Sequence, residues 1–222
     1  MIAQLPPGLK NLLIIMVLVS FAQVALPKTG FDVETLYLFY PDSENFRIWQ
    51  LATHIFCHGG ISHLLFNGLA LFSFGAIVEY RLGVSKFLQL FFIAALGAVL
   101  VHFAQMGYTI FSHTGTLFPN HASGVEAVNY GPMIGASGAV YGVMVAFAYL
   151  YPNESLVFLF IPYPIKAKYL VPIMVGLDVL LGLGSFSGDN VAHFAHIGGA
   201  ATGLGLIFLW KKLDRKKYLN RF

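Results

Sequence analysis

Gly135-Ala136-Ser137-Gly138-Ala139-Val140-Tyr141-Gly142 opens an apolar run that continues to Tyr151. Far downstream a second run opens with His193-Phe194-Ala195-His196-Ile197-Gly198-Gly199. A serine and a histidine, each among glycines and each near the start of an apolar helix, read as a nucleophile and its base. Glycines matter because two helix backbones that lack side chains approach closely enough for Ser137 and His196 to hydrogen-bond. Such a pair implies peptide hydrolysis inside a lipid bilayer. Glycines are also ordinary packing devices of membrane helices, and a lone membrane serine commonly bonds its own backbone. The rest of the chain separates these readings.

The composition is that of a membrane protein. Of 222 residues 57% are hydrophobic and 10% charged, with mean hydropathy +0.73; a soluble domain carries about a quarter charged residues. The single cysteine, Cys57, excludes an internal disulfide framework. The net charge of +3 is small, and the placement of the basic residues speaks of topology rather than of nucleic acid. The expectation is one polytopic domain over residues 1–222, all-α, a bundle of six transmembrane helices.

The six spans cover residues 9–26, 62–80, 87–106, 137–151, 169–183 and 191–210. The first follows Lys10 as a signal peptide would, but no A-x-A site comes after it, so it reads as a retained span. With the N-terminus inside, Lys10, Arg81, Lys86, Lys166, Lys168, Lys211, Lys212, Arg215, Lys216, Lys217 and Arg221 are cytoplasmic. Only Lys28 and Arg47 are outside, so the 13 basic residues divide 11 to 2. Both termini are expected in the cytoplasm, with residues 211–222 a basic cytoplasmic tail and the chain in a bacterial plasma (inner) membrane. Two long connections then lie outside. The first, 27–61, holds four carboxylates and Phe46-Arg47-Ile48-Trp49 and reads as folded and partly embedded; the second, 107–136, has Glu126 as its strong charge.

Topology gives the polar residues a common depth. His63 and Asn67 fall in the first two turns of the second span, Ser137 begins the fourth, and His196 lies about six residues into the sixth. At 1.5 Å per residue all four sit within about 10 Å of the outer helix ends. The fourth span, 15 residues from Ser137 to Tyr151, makes about 22 Å of helix against a hydrocarbon core of about 30 Å. Its outer end is therefore sunk below the surface and reached by Gly131-Pro132-Met133-Ile134-Gly135 as irregular chain, which is tolerated at that depth only inside protein or beside a wet cavity. Hydrolysis needs that water. Ser137, at the helix start, also meets the dipole's positive end and unpaired N–H groups that favour an oxyanion.

Gly135-Ala136-Ser137-Gly138, Ala195-His196-Ile197-Gly198-Gly199, His63-Leu64-Leu65-Phe66-Asn67 and Glu79-Tyr80-Arg81-Leu82-Gly83, in chain order, resemble the rhomboid intramembrane serine proteases over residues from about 48 to 210. The resemblance implies Ser137 as nucleophile and His196 as general base in a dyad without a carboxylate. It implies an oxyanion hole of His63, Asn67 and the Ser137 N–H, with Tyr141 stacked on His196. Gly135, Gly138, Gly199, Phe66 and His193 would support the site. The substrates would be transmembrane segments of other proteins in the lipid bilayer; no cofactor, metal or nucleic acid enters. Spacing agrees: His63 and Asn67 share a helix face, Tyr141 lies one turn from Ser137, and Gly138 and Gly142 can face Gly199 and Gly203. One departure is the order Arg47-Ile48-Trp49, where the family often carries a Trp-Arg pair.

Other polar residues read more plainly. His54 and His58, at i and i+4, would suit a metal but lack the intervening glutamate of H-E-x-x-H, and are expected to pack beside the site. His102, His113 and His121 are expected on loops or helix ends. His193, nearer water than His196, would line the cavity or steady the loop containing Asp189. Asp178 falls mid-span, where a charge is expensive, so it must be neutral or paired; no role attaches to it. Gly135-Ala136-Ser137-Gly138-Ala139 does not fit the Gly-x-Ser-x-Gly elbow of α/β-hydrolases. Two alternatives stand beside the protease: an inactive rhomboid-like protein that binds transmembrane helices, and a metal-dependent hydrolase using the histidines. A reporter fused after Phe222 is expected in the cytoplasm and one inserted at Asn120 outside; the reverse orientation would undo the shared depth.

Overall fold

The computed structural model describes residues 5–119, 131–158, 161–184 and 191–219. Asn120, His121, Glu126 and Asp189 lie outside them. Helix α1 (Pro7–Ala25) leads through 3₁₀ turns at Leu26–Thr29 and Val33–Leu36 to the short α2 (Gln50–Thr53). Then come α3 (Ile61–Leu82), α4 (Val84–Thr114), α5 (Ser137–Leu150), β1 (Ser155–Phe158), β2 (Ile161–Lys166), α6 (Ala167–Gly184) and α7 (His193–Leu219). Among the described residues five helices are long and apolar enough to cross a membrane, and α5 is a shorter apolar helix. The chain is a helical membrane bundle.

α5 is the buried centre. Gly138, Ala139, Val140, Gly142, Val143, Met144, Ala146 and Phe147 are all inside, which leaves almost no lipid-facing stripe. Its neighbours α3, α4, α6 and α7 carry the exposed apolar side chains instead, such as Leu69, Leu100, Leu180 and Phe208. Lipid is as apolar as leucine, so these helices are held by close packing rather than by a hydrophobic drive. The closest packing is at glycines. A Cβ at Gly199 would collide with the carbonyl of Gly138, and one at Gly203 would lie 2.6 Å from the Gly142 oxygen. The adjacent strip of α7 meets α4: a Cβ at Gly198 would lie 2.6 Å from the Gly97 oxygen.

Two polar devices fix the ends of the bundle. The buried Glu79 carboxylate at the end of α3 accepts from the backbone N–H of Gly8 at 2.8 Å and of Leu9 at 2.6 Å. A carboxylate thus caps the orphan donors and the positive dipole end of α1. In the first loop, wholly buried Gln50 accepts from Arg47 N–H at 3.1 Å and Phe39 N–H at 3.3 Å, and donates to Asn45 O at 2.8 Å. One side-chain amide therefore organises a loop with little regular structure of its own. That loop also satisfies the chain descending to α5. Leu38 and Met133 exchange bonds of 3.1 and 2.8 Å, and Gly135 N–H donates to His54 O at 2.9 Å.

Several sequence boundaries are corrected. The third span runs to Thr114 rather than 106: the helix outlasts its apolar stretch, where Met106 and Ile110 pack with Tyr40 of the first loop. His102 is therefore inside α4 and not at a helix end, whereas His113 is exposed near its last turn. Residues read as a tail from 211 continue α7 to Leu219. The all-α expectation misses the antiparallel hairpin of β1 and β2, paired as Ser155↔Lys166 and Leu156↔Ile165. Pro162 and Pro164 hid it: proline reads against a strand, yet a two-stranded ribbon has an outer edge that needs no donor.

Gly199→Val is expected to force α5 and α7 apart and cost at least about 1–3 kcal/mol, seen as a lowered melting temperature in detergent. Gly205→Ala is the control, since a Cβ there meets nothing within 4 Å.

Candidate active site

The irregular segment 131–136 delivers Ser137 to the first helical position of α5, after a residue, Gly135, held at φ +117°. Only glycine adopts that backbone readily. Opposite, α7 opens at His193, so His196 comes one turn in; the Gly138–Gly199 contact brings the two helices together beside it. The outcome is short. His196 Nε2 lies 2.8 Å from Ser137 Oγ. Tyr141, one turn below Ser137, stacks on the His196 ring with centroids 4.5 Å apart and planes 8° from parallel.

The far side of the imidazole is also held. Asp178 on α6, 5% exposed, places Oδ1 2.9 Å from His196 Nδ1 and 2.5 Å from His193 Nδ1. Two imidazoles thus share one carboxylate oxygen inside the bundle. The dyad without a carboxylate that the resemblance implied is not the geometry of this chain. His193, 7% exposed, does not simply meet water; it grips Asp178. The sequence signal was the expense of a mid-span charge, which demands a partner. Nothing linear pointed to the two histidines 15 and 18 residues on.

A cavity of about 950 Å³ opens in front of this cluster, lined by Ser137, His196, His193 and Tyr141 from one side and by His63 and Asn67 of α3 from the other. His63 Nδ1 accepts from Gly59 N–H at 3.2 Å, which leaves Nε2 as the protonated, donating nitrogen. A Cβ at Gly135 would lie 2.7 Å from that Nε2 and 3.9 Å from the Asn67 amide nitrogen; both groups therefore flank the chain just before Ser137. Asn67 Nδ2 also donates to His63 O at 3.1 Å. Phe66 lines the cavity but is more than half exposed at 55%, while Gly138 and Gly199 act in packing. His102 lines the cavity as well.

Other candidates separate from the pair. His54 Nδ1 donates to Gln50 O at 2.6 Å, and His58 Nδ1 lies 3.2 Å from both Ser20 Oγ and Phe56 O, so the two do not converge on a metal. Burial pushes His54 down to about 4, and it stays neutral. Burial pushes the Cys57 thiol up to about 12, which removes it as a nucleophile near neutrality. Asp178, His193 and His196 present donor atoms within 4.8 Å of one another, a spacing able to hold a metal ion. In the structure the two Nδ1 groups are instead spent on the carboxylate.

Fold and site together define a polytopic helical membrane protein with a serine–histidine pair facing an internal cavity. The Rhomboid domain model matches residues 45–212, and the chain belongs to the rhomboid family. It is 32% identical over 164 residues to Rhomboid protease GluP of Bacillus subtilis, covering 71% of this chain and 26% of that protein. It is 27% identical over 210 residues to Rhomboid protease GlpG of Salmonella choleraesuis (92% and 64%). It is also 29% identical over 175 residues to RHOMBOID-like protein 12, mitochondrial, of Arabidopsis thaliana (78% and 48%). The chain thus spans about half, or less, of several relatives it matches. Family and apolar helices make it an integral membrane protein of the rhomboid family. Mitochondrial relatives stand beside bacterial ones, so the bacterial plasma-membrane expectation gains no support from them.

Gly135→Ala is expected to strain the backbone and push the His63 ring aside, costing about 1–3 kcal/mol, measured as a drop in melting temperature relative to wild type.

Proposed function

We propose that the protein is a serine endopeptidase that cleaves transmembrane or juxtamembrane segments of other membrane proteins. The single observation that carries this reading is the 2.8 Å contact between Ser137 Oγ and His196 Nε2 beside a cavity inside the bundle. Ser137 Oγ attacks the scissile carbonyl carbon and its proton passes to His196 Nε2, while the carbonyl π pair moves to oxygen. The Ser137 N–H, His63 Nε2–H and Asn67 amide are the donors for that oxyanion. Collapse breaks the C–N bond, and the leaving amine takes the proton from Nε2. Water then enters the cavity, gives a proton to His196 Nε2 and adds to the acyl carbon; collapse breaks the bond to Ser137 Oγ, which takes the proton back from Nε2 as the new carboxyl end leaves.

The finer topology belongs to the same reading. With α5 as the sunken member, six helices cross the membrane and both ends lie on the side carrying 11 of 13 basic residues. A substrate helix enters sideways and unwinds, since a helical peptide bond is shielded by its own hydrogen bonds.

The test compares wild type, Ser137→Ala, His196→Ala and Asn67→Ala, purified and incubated with a panel of single-span proteins. Ser137→Ala and His196→Ala are each expected to lose cleavage entirely while remaining folded, because the pair acts as a unit. Asn67→Ala is expected to lower kcat about 10²–10³-fold. Cleavage by Ser137→Ala at the wild-type rate would end the serine reading. Absence of both cleavage and fluorophosphonate labelling in wild type would favour a rhomboid-like helix-binding protein instead.

A further inference from the structure

We propose that Asp178 is a positioning residue for the Ser137–His196 pair: its carboxylate, clamped by His193, holds the His196 imidazole with Nδ1 protonated and Nε2 open to the serine hydroxyl. This rests on the serine endopeptidase reading and adds to it a third group from a third helix, α6.

The observations converge from both ends of the imidazole. A neutral imidazole has one N–H and one lone pair, and its two tautomers are close in energy when nothing distinguishes the nitrogens. His196 has Asp178 Oδ1 at 2.9 Å from Nδ1 and Ser137 Oγ at 2.8 Å from Nε2. A carboxylate accepts and cannot donate, so Nδ1 must carry the hydrogen and Nε2 must present the lone pair. That is the tautomer a general base needs. Once Nε2 takes the serine proton, the resulting imidazolium lies against an anion already in place.

Asp178 is itself constrained. His193 Nδ1–H donates to the same Oδ1 at 2.5 Å, and Tyr141 stacks on the His196 ring and holds its plane. The two histidines are three apart on α7, so one turn of helix presents both Nδ1 groups to one oxygen. Asp178 does not line the cavity, whereas His193 and His196 do; it stands behind them. A carboxylate kept merely to anchor α6 on α7 would be served by His193 alone. The second bond, to the base, is the one that chemistry uses.

The decisive experiment follows fluorophosphonate labelling of Ser137 in the full-length chain in liposomes, which needs no known substrate and separates the rate at saturation from the affinity for the probe. Asp178→Asn replaces the obligate acceptor with an amide that can donate to Nδ1 and select the wrong tautomer. The saturated rate is expected to fall about 10²–10⁴-fold, with probe affinity within about threefold of wild type and Asp178→Glu recovering part of the rate. A saturated rate for Asp178→Asn within about threefold of wild type would overturn the proposal, as would a loss confined to affinity. Should Asp178→Asn not be recovered folded, wild type decides: ¹⁵N-histidine spectra near neutral pH are expected to show His196 protonated at Nδ1 and bare at Nε2. The opposite tautomer would overturn the proposal. Ser137→Ala keeps the two readings apart. If it is unlabelled while Asp178→Asn labels normally, the serine reading stands and the role of Asp178 falls; if the probe still labels Ser137→Ala at the wild-type rate, the serine reading itself falls.

Discussion

Everything in this bundle depends on how close α5 and α7 come to each other. In water two helices are driven together by the apolar surface they hide; in lipid that drive is absent, and contact area and hydrogen bonds must suffice. Gly138 and Gly142 against Gly199 and Gly203 let backbone meet backbone, so closely that a single added methyl at Gly199 would strike a carbonyl oxygen. The serine–histidine contact sits within one turn of this seam. A seam widened by the thickness of a methyl group would break a 2.8 Å bond, so packing and chemistry are a single constraint here.

The second constraint is the burial of polar groups where water is scarce. Three such groups are tied into networks rather than left alone. Glu79 closes the N-terminal amides of α1, Gln50 knits the first loop, and Asp178 joins two imidazoles. The descending chain before Ser137 survives without helical bonds because Leu38 and His54 supply partners from the first loop. A folded loop is therefore part of the site: it satisfies the backbone that carries the serine to the cavity.

The same logic explains the short helix. At 14 residues α5 reaches only about 21 Å, and its neighbours take over the contact with lipid. A fully surrounded helix has nothing to match to the bilayer thickness, and its late start leaves room for the cavity shared by α3 and α7.

Much of this was legible in the chain. Hydropathy marked the apolar segments, and the shortness of α5 was readable in its apolar run. The glycines flanking Ser137 and His196 announced a close approach, because glycine is costly in a helix unless proximity uses it. Periods of four placed His63 with Asn67 and Ser137 with Tyr141, since residues one turn apart share a face. What linear order could not carry was any relation between faces of different helices. Asp178 was readable as a charge needing a partner, but which of eight histidines would take it depends on the rotation of α6 against α7. The extension of α4 past its apolar stretch, the hairpin behind two prolines and the reach of Glu79 across some 70 residues to α1 share that origin. Local sequence sets which face is polar and how long an apolar run lasts; only the packed bundle sets which polar faces meet.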